Sequence, residues 1–361
     1  MRKPKRSVLL LTAFLVLAIV LVVGCGNSGS AEKTESSAGS GSASNTAEEK
    51  TGQPSTEENT QQEANGEKAV KVRIALNGSL NPLVIAEQKG WLKEGFDQLN
   101  AEVEWSKFAS GPPILEALVS GRVDLTFLGD GATITGLSNK LPIQVVGLIG
   151  EGKNLNAILV SADSPITKVQ DLKGKKVGLS RGSSSHVYLI KVLEANGLTQ
   201  KDLTIINLNP EDAQAAFESG QLDAWVTVDP NITLNVATKK AKALEANTEV
   251  QAPLSMIAHT EFAQKHPELV VEYLKQFKRS LEWQTANLDE AAQIYSEQTK
   301  LPAAIVKTFL ERSSSLLSAY TQEALAAQET TAGILLKNGF LKKEVAFKDG
   351  VNDSFVQQAL E

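Results

Sequence analysis

Residues 117–130 (ALVSGRVDLTFLGD) and 216–229 (AFESGQLDAWVTVD) follow one pattern, and this pattern decides the fold. Five positions are identical at an offset of 99 residues (216 minus 117): one Ala, a Ser-Gly pair and two Asp. In each copy an amphipathic helix ends at Ser-Gly, an Asp opens an apolar strand, and a second Asp follows that strand. Because glycine after a helix is common, convergent helix-stop chemistry is the alternative to an internal repeat.

A second likeness, in the same order along the chain, favours two similarly built lobes. An apolar strand at residues 72–76 leads through residues 77–79 (NGS) into a helix that Pro82 opens. Another apolar strand at residues 176–180 leads through residues 181–183 (RGS) into a second helix. Short apolar strands that alternate with helices are typical of α/β units with largely parallel strands.

The sequence from residue 71 onward therefore predicts an α/β fold of two lobes, each a mainly parallel sheet flanked by helices. Residues 261–361 carry Leu, Val, Phe and Ala at three-to-four spacing, which predicts helices that pack around the first lobe. Pro267 and Pro302 are expected to open two of these helices. Since ligands of such sheets bind at the carboxyl ends of the strands, loops from two facing lobes would line one cleft.

The amino terminus has the pattern of a bacterial export signal. Four cations in residues 1–6 precede an apolar run of about sixteen residues, which is short for a membrane span of roughly twenty. The run ends in Val-Val-Gly before Cys25, the single cysteine of the chain, and this junction resembles a lipobox. That resemblance implies removal of residues 1–24 as a signal peptide and lipidation of Cys25, with an uncleaved anchor helix as the alternative.

Residues 25–69 are rich in Ser, Gly, Thr, Gln, Asn and Glu and are expected to form a flexible linker with a reach of about 35–40 Å. The formal net charge is -6, and it becomes -10 without the four cations of residues 1–6 (36 minus 4 basic against 42 acidic residues). No basic patch favours nucleic-acid binding. The remaining length is sufficient for two lobes.

Many separate motifs between residues 72 and 339 resemble one family, the substrate-binding proteins of nitrate, taurine and aliphatic-sulfonate ABC importers, and are closest to its aliphatic-sulfonate branch. These motifs occur in the family's order. They are residues 110–118 (SGPPILEAL), 121–124, 129–130 (GD), 171–178 (DLKGKKVG), 182–186 (GSSSH), 223–225 (DAW), 229–230 (DP) and 262–269.

This resemblance implies a two-lobed periplasmic-binding-protein fold of type II with a two-strand hinge near residues 156–161 and 253–258. Lobe 1 would comprise residues 70–160 and 254–361, and lobe 2 residues 161–253. The expected function is that of a monomeric, membrane-anchored extracytoplasmic protein that closes on a small anion and delivers it to ABC permease subunits. Val228 and Asn231 replace aromatic residues of the sulfonate pattern, which leaves taurine, nitrate and a thiamine-pyrimidine precursor as alternative ligands.

A sulfonate has three accepting oxygens and little basicity, so backbone N–H groups, hydroxyls and the positive ends of helices can hold it. The loops and helix starts of the predicted cleft supply such groups. The candidate ligand-binding residues are Asn77, Gly78, Ser79, Ser110, Gly111, Gly129, Asp130, Gly131, Ser183, Ser184, Ser185, His186 and Asp229.

Structural roles compete with ligand binding at these positions. Serines before a helix are capping residues, and the glycines also permit tight turns. Asp130 and Asp229 would repel a bare anion, so they are expected to accept N–H bonds from their loops or to meet an amine on the ligand. Arg181 is the only cation that the sequence places beside these loops, and we expect it to be solvated.

Enzyme motifs are weak in this chain. Residues 147–154 (GLIGEGKN) come within one residue of a phosphate-binding loop, but Asn154 replaces the magnesium-binding hydroxyl, and a surface loop is expected there. The three histidines lack metal-ligand spacing. A catalytic triad of Ser184, His186 and Asp229 is not favoured, because Ser184 and His186 are two residues apart at a helix start and their side chains would point in different directions. We therefore expect a binding protein without catalytic residues, cofactor or metal, with a pyrimidine-biosynthesis-like enzyme as the rival class.

Overall fold

The computed structural model describes residues 68–153 and 155–361, which form two β-sheets flanked by helices. The predicted signal peptide, Cys25 and nearly all of the predicted linker lie outside these residues. Within the described ranges, no helix is both long enough and apolar enough to cross a membrane.

The first sheet has six strands in the order β11-β4-β10-β3-β1-β2. Neighbouring β1, β2 and β3 are parallel to one another, whereas β10 runs antiparallel to both β3 and β4. The strands are β1 (Val70–Leu76), β2 (Ala101–Lys107), β3 (Leu125–Leu128), β4 (Ile143–Gly150), β10 (Leu254–His259) and β11 (Ser315–Ser318).

The second sheet has five strands in the order β7-β6-β8-β5-β9, where β5 is antiparallel to both of its neighbours. Its strands are β5 (Asn156–Ser161), β6 (Lys176–Leu179), β7 (Thr204–Asn207), β8 (Ala224–Val228) and β9 (Ala241–Ala243). The strands of the first repeat thus lie in the order β2-β1-β3-β4, and those of the second in the equivalent order β7-β6-β8-β9. In each sheet an antiparallel strand from the other repeat, β10 or β5, lies between the last two. Apart from the edge strand β11 of the first sheet, the two sheets have the same topology.

The helices cover both sheets and are most numerous in the last hundred residues. They are α1 (Pro82–Gln88), α2 (Trp91–Asp97), α3 (Gly111–Val119), α4 (Asp130–Ser138), α5 (Ser184–Ala195), α6 (Pro210–Glu218), α7 (Asn231–Ala237), α8 (Thr260–Lys265), α9 (Pro267–Ala286), α10 (Leu288–Thr299), α11 (Ala303–Arg312), α12 (Gln322–Lys337) and α13 (Ser354–Leu360). Pro82 and Pro267 are first residues of helices, as predicted, and α11 begins directly after Pro302.

The two antiparallel strands β5 and β10 fit the predicted architecture. Both sheets are mixed, because β5 and β10 each enter the sheet of the other repeat, but the four strands of each repeat run in one direction, so the sheets are mainly parallel as predicted. The chain passes from one sheet to the other between β4 and β5 and again between β9 and β10, so β5 and β10 are the predicted pair of hinge strands. Since β5 pairs within the second sheet, the boundary expected at residue 160 lies instead between β4 and β5.

The stretch that approaches a phosphate-binding loop is also placed differently from the expectation. Gly147 and Gly150 lie within β4, and Gly152 and Lys153 belong to the crossing segment that follows it. Asn154 lies outside the described residues. Residues 147–150 are therefore part of a buried strand and not of a surface loop, whereas residues 151–153 form a partly exposed connection.

The two Asp residues that open the third strands, Asp124 and Asp223, make equivalent hydrogen bonds. Asp124 donates its backbone N–H to the carbonyl of Arg73 at 2.8 Å, and Asp223 donates to Lys176 in the same way at 2.9 Å. Each carboxylate accepts the N–H of that strand residue in return, at 2.9 Å and 2.7 Å. The glycine of each Ser-Gly pair has a positive φ, 66° and 73°. The same local chemistry thus opens the third strand of both sheets.

Each sheet is buried on both faces, so neighbouring strand residues enter different apolar cores. In β10, Met256 packs on one face and Ile257 on the other. Ile158 and Leu159 of β5 divide in the same way between the cores of the second sheet. The helices after β10 pack on the first sheet, as predicted, while β11 was not predicted from the sequence.

Candidate ligand-binding cleft

A cavity of about 860 Å³ lies between the two sheets, where the loops at the carboxyl ends of their strands meet. Both repeats contribute to its wall. Ten of the predicted site residues line it: Asn77, Gly78, Ser79, Ser110, Gly111, Gly129, Ser183, Ser184, Ser185 and Asp229.

The wall from the first sheet is made of turns that present polar atoms. The Asn77 side chain accepts the N–H of Ser79 at 3.0 Å and so fixes the turn after β1. Helix α3 begins after Ser110, whose hydroxyl does not cap it. The Ser110 hydroxyl lies 3.3 Å from that of Ser180 in the second repeat. This contact brings the two sides of the cleft together.

The wall from the second sheet is the amino terminus of α5. Ser183 precedes this helix without capping it, because its hydroxyl donates instead to the carbonyl of Ser180 at 2.7 Å. The Ser185 hydroxyl donates to the side chain of Asn156 at 3.1 Å. The first turn of α5 is therefore free of a side-chain cap where it faces the cavity, and its N–H groups and dipole favour an anion there.

Apolar side chains complete the cavity. Phe108 and Phe127 line it from the first sheet, Trp225 from the second, and Phe309 from α11. Trp225 is 1% exposed and belongs both to the core and to the cavity wall. The cavity wall therefore contains aromatic rings although Val228 and Asn231 replace the aromatic residues of the family pattern.

Asp130 is buried behind the cavity wall and does not line it. It opens α4, and its carboxylate lies 3.6 Å from the ammonium of Lys191, on α5 of the other repeat. Lys191 also donates to the backbone carbonyl of Gln251 in the crossing segment at 2.7 Å. Burial raises the pKa of Asp130, and burial lowers the pKa of Lys191. The charge of each residue opposes the pKa shift that burial causes in the other, as expected for a buried charge pair.

Gly131 has a packing role and does not line the cavity. A Cβ at this position would lie 2.8 Å from the carbonyl oxygen of Gly182 and 2.9 Å from that of Ser183. Only glycine permits α4 and α5 to approach so closely. Gly129 does line the cavity, and a Cβ there would collide with the hydroxyl of Ser184.

His186 also lies away from the cavity. Its ring accepts the Gly182 N–H at Nδ1 (3.2 Å), so Nε2 carries the proton that is donated to Gln200 at 2.8 Å. The Phe340 ring packs edge-on against the His186 ring, and burial lowers the pKa of His186. A ligand-binding role for His186 does not fit this position.

Asp229 fixes its loop, as predicted, and also binds a cation that was not predicted. Its carboxylate accepts the backbone N–H and the hydroxyl of Thr233 at 2.8 and 2.7 Å. The other oxygen pairs with Arg312, at the end of α11. Arg312 donates to Thr233 as well, at 2.8 Å. These bonds join the loop after β8 in the second repeat to the end of α11.

The cations beside the cleft differ from the sequence prediction. Arg181 is exposed and donates its backbone N–H to Asn207 at 2.9 Å. Arg312, Lys107 and Lys153 line the cavity instead. The sequence gave no indication of Arg312, because 83 residues separate it from Asp229.

Two mixed sheets that exchange strands and enclose a shared cleft define the class of two-lobed solute-binding folds. The model of the family described as NMT1/THI5 like matches residues 77–291 of this chain. The chain therefore belongs to the NMT1/THI5-like family, and its resemblance to the sulfonate branch is confirmed.

The relatives and solved structures agree with this assignment. A protein of Bacillus subtilis (strain 168) whose name assigns it to aliphatic sulfonate binding is 35% identical over 293 residues, which cover 81% of this chain and 88% of that protein. A protein of Escherichia coli (strain K12) with the same name is 28% identical over 78% of this chain and 88% of its own length. The alkanesulfonate-binding protein SsuA from Xanthomonas axonopodis pv. citri, bound to MOPS, superposes with a TM-score of 0.74 at 26% identity. That match covers 80% of this chain and 100% of SsuA.

Proposed function

We propose that this protein is the extracytoplasmic solute-binding component of an ABC importer and that it carries an aliphatic sulfonate to the permease. The observation that carries the proposal is the shared cavity, where the uncapped start of α5 faces serine hydroxyls from the first repeat and an apolar wall. The polar end suits a sulfonate head and the apolar wall an alkyl tail. The names of the relatives support the same ligand class.

The site is proposed to bind and not to catalyse. His186 is oriented towards Gln200, and Asp229 is engaged by Thr233 and Arg312, so these two residues do not assemble with Ser184 as a triad. Among the described residues, no cluster of three or more His, Cys, Asp or Glu side chains could hold a metal. The relatives named above are binding proteins, which supports the same reading.

Membrane attachment through Cys25 is part of the proposal. The basic start, the short apolar run and the Val-Val-Gly-Cys junction are its motive. Mass spectrometry of the membrane fraction should find an acylated amino terminus at Cys25, and Cys25→Ala should release or stall the protein. An intact Met1 start would refute lipidation while leaving the proposed ligand untouched.

Ligand class is tested by calorimetry with the full mature protein and a panel of ethanesulfonate, hexanesulfonate, taurine, nitrate and hexanoate. Sulfonates should bind most tightly, and a hundredfold excess over Kd should add about 2.7 kcal/mol of stability. Taurine is the second candidate, because Glu211 lines the cavity and offers a carboxylate for its ammonium. A folded protein that binds no sulfonate would overturn the proposal.

The contact with the sulfonate head is tested by Ser184→Ala. Loss of a hydroxyl bond to a charged oxygen should weaken binding roughly tenfold or more. Ser185→Ala tests the neighbouring hydroxyl, which is engaged with Asn156 in this structure. Ser219→Ala, at an exposed helix end, is the matched control, and Arg181→Ala should have little effect. If Arg181→Ala abolished binding while Ser184→Ala left it intact, a salt bridge and not a helix terminus would hold the ligand.

A further inference from the structure

Asn81 lines the cavity from the loop between β1 and α1, and it was not among the candidate residues. It is 6% exposed, and its neighbours Leu80 and Leu83 are buried as well. Because β1 and β3 are adjacent and parallel, this loop lies beside the loop that begins at Gly129. Gly129 in turn packs closely against the hydroxyl of Ser184. Asn81 therefore belongs to the first-lobe side of the proposed site for the sulfonate head.

The orientation of the Asn81 amide is fixed by a hydrogen bond. Its side-chain oxygen accepts the Leu83 N–H at 3.0 Å and so caps α1. The opposite orientation would place the amide nitrogen, a donor, against the Leu83 donor. The oxygen is therefore turned towards the helix, and the NH₂ group is the end of the side chain that is left for the cavity.

This NH₂ group has no acceptor within residues 68–153 and 155–361. The nitrogen is also not fully enclosed by protein atoms, although the residue as a whole is nearly buried. Buried polar groups in proteins are almost always hydrogen-bonded, because an unpaired donor away from water is unfavourable. A donor held in this way at a cavity wall is suited to a group that enters the cavity.

The chemistry of that group follows from the donor. An amide NH₂ can donate two hydrogen bonds and accepts none. A sulfonate head has accepting oxygens and no donor, so it complements Asn81, whereas an ammonium group has only donors and does not. Asn81 also lacks a charge, in agreement with a head held by N–H groups and hydroxyls.

We propose that Asn81 is a further ligand-binding residue, whose amide donates to an oxygen of the anionic head from the side of the first lobe. This inference rests on the proposed binding function and adds a specific donor to it. Since the contact is with the head, it should contribute equally to the binding of sulfonates with short and long tails.

Calorimetry with ethanesulfonate and hexanesulfonate on the full mature protein tests the contact. Asn81→Ser keeps an oxygen that can cap α1 but removes the NH₂ group, and it should raise Kd roughly ten- to hundredfold for both ligands. Asn81→Asp keeps the cap and the shape but replaces the donor by a carboxylate, which repels the head, so it should raise Kd further. Thermal unfolding without ligand checks that both variants are folded.

Asn209→Ser is the matched control. Asn209 also caps a helix that begins with a proline, and its side-chain oxygen accepts the Asp212 N–H at 2.9 Å. Its amide nitrogen, however, donates to the Asp212 carboxylate at 2.7 Å, and the residue does not line the cavity. Asn209→Ser should therefore leave Kd unchanged. A loss in Asn81→Ser that affected hexanesulfonate alone would place Asn81 at the tail and overturn the proposal.

Nitrate and hexanoate separate this proposal from the assignment of the ligand. If the wild-type protein bound one of these anions and no sulfonate, and Asn81→Ser weakened that binding, the ligand assignment would fail while the role of Asn81 stood. If the wild-type protein bound sulfonates and both Asn81 variants bound them as tightly, the proposed function would stand and Asn81 would not contact the ligand.

Discussion

The two Asp residues that follow the third strand of each sheet have equivalent positions in the repeat and different surroundings. Asp130 is fully buried and faces Lys191, whose side chain is 11% exposed, whereas Asp229 pairs with Arg312, which is 49% exposed. Each pair joins a carboxylate of one lobe to a cation carried by the other.

The packing around each pair accounts for the difference. Val187 and Ile190 of α5 are buried against the first lobe, while Tyr188 and Leu189 of the same helix are buried against the second sheet. Lys191 thus lies in a continuous apolar contact next to the crossing segment. The Arg312 pair has solvent beside it. At equivalent positions, one repeat therefore carries a buried ion pair and the other a half-exposed one.

The largest expected effect comes from removal of the buried cation. Lys191→Met would leave Asp130 buried without a counter-charge and should cost about 3–5 kcal/mol of unfolding free energy at neutral pH. Urea denaturation measures it. Asp130→Asn in the same chain should recover a large part of the loss, and a double variant no more stable than Lys191→Met would show that the two charges are not coupled.

The pH dependence of the two single variants should have opposite signs. In Lys191→Met the raised pKa of Asp130 means that the native state holds a proton that the unfolded state releases, so stability should rise as pH falls from neutral towards the ordinary Asp value of 3.8. In Asp130→Asn the lowered pKa of Lys191 reverses the proton balance, so stability should rise with pH up to about the ordinary value of 10.5. Parallel pH profiles in urea titrations would contradict the assignment of a buried charge pair.

The Asp residues that open the third strands provide a smaller contrast. Asp124 is buried and binds the guanidinium of Arg73 at 2.6 and 2.7 Å in addition to its backbone N–H. Asp223 is exposed, and its carboxylate accepts the Lys176 N–H at 2.7 Å. Asp124→Ala should therefore cost about 1.5–3 kcal/mol and Asp223→Ala about 0.5–1.5 kcal/mol. Equal midpoints in thermal unfolding would remove this distinction between the repeats.

The smallest expected effect on stability is that of Arg312→Met. Because the guanidinium is half exposed, the unfolding free energy should change by only about 0–1 kcal/mol. Thermal unfolding without ligand is the measurement. A loss as large as that of Lys191→Met would mean that solvent exposure does not weaken the Arg312 pair.

The sequence predicted the repeat and much of the local structure correctly. The starts of the helices at Pro82 and Pro267 and the matching turns after β1 and β6 follow from residues within one helical turn of each other. Ten of the thirteen candidate ligand residues line the cavity for the same reason, since carboxyl ends of strands meet at one edge of a sheet. The placement of three residues differed: Asp130 and Gly131 pack against α5 of the other lobe, and His186 is buried between Gln200 and Phe340. Apolar periodicity predicts that such residues are buried, but not which residues they contact.

The sequence by itself determined which residues open and close each strand and helix, because capping, turn geometry and apolar alternation act over a few neighbouring residues. Tertiary structure alone decided that β5 and β10 exchange sheets, that Lys191 meets Asp130 across 61 residues (191 minus 130), and that Arg312 meets Asp229 across 83. An ion pair between lobes depends on how two separately folded bodies are placed against each other. That placement follows from their packed surfaces, and no short stretch of sequence encodes it.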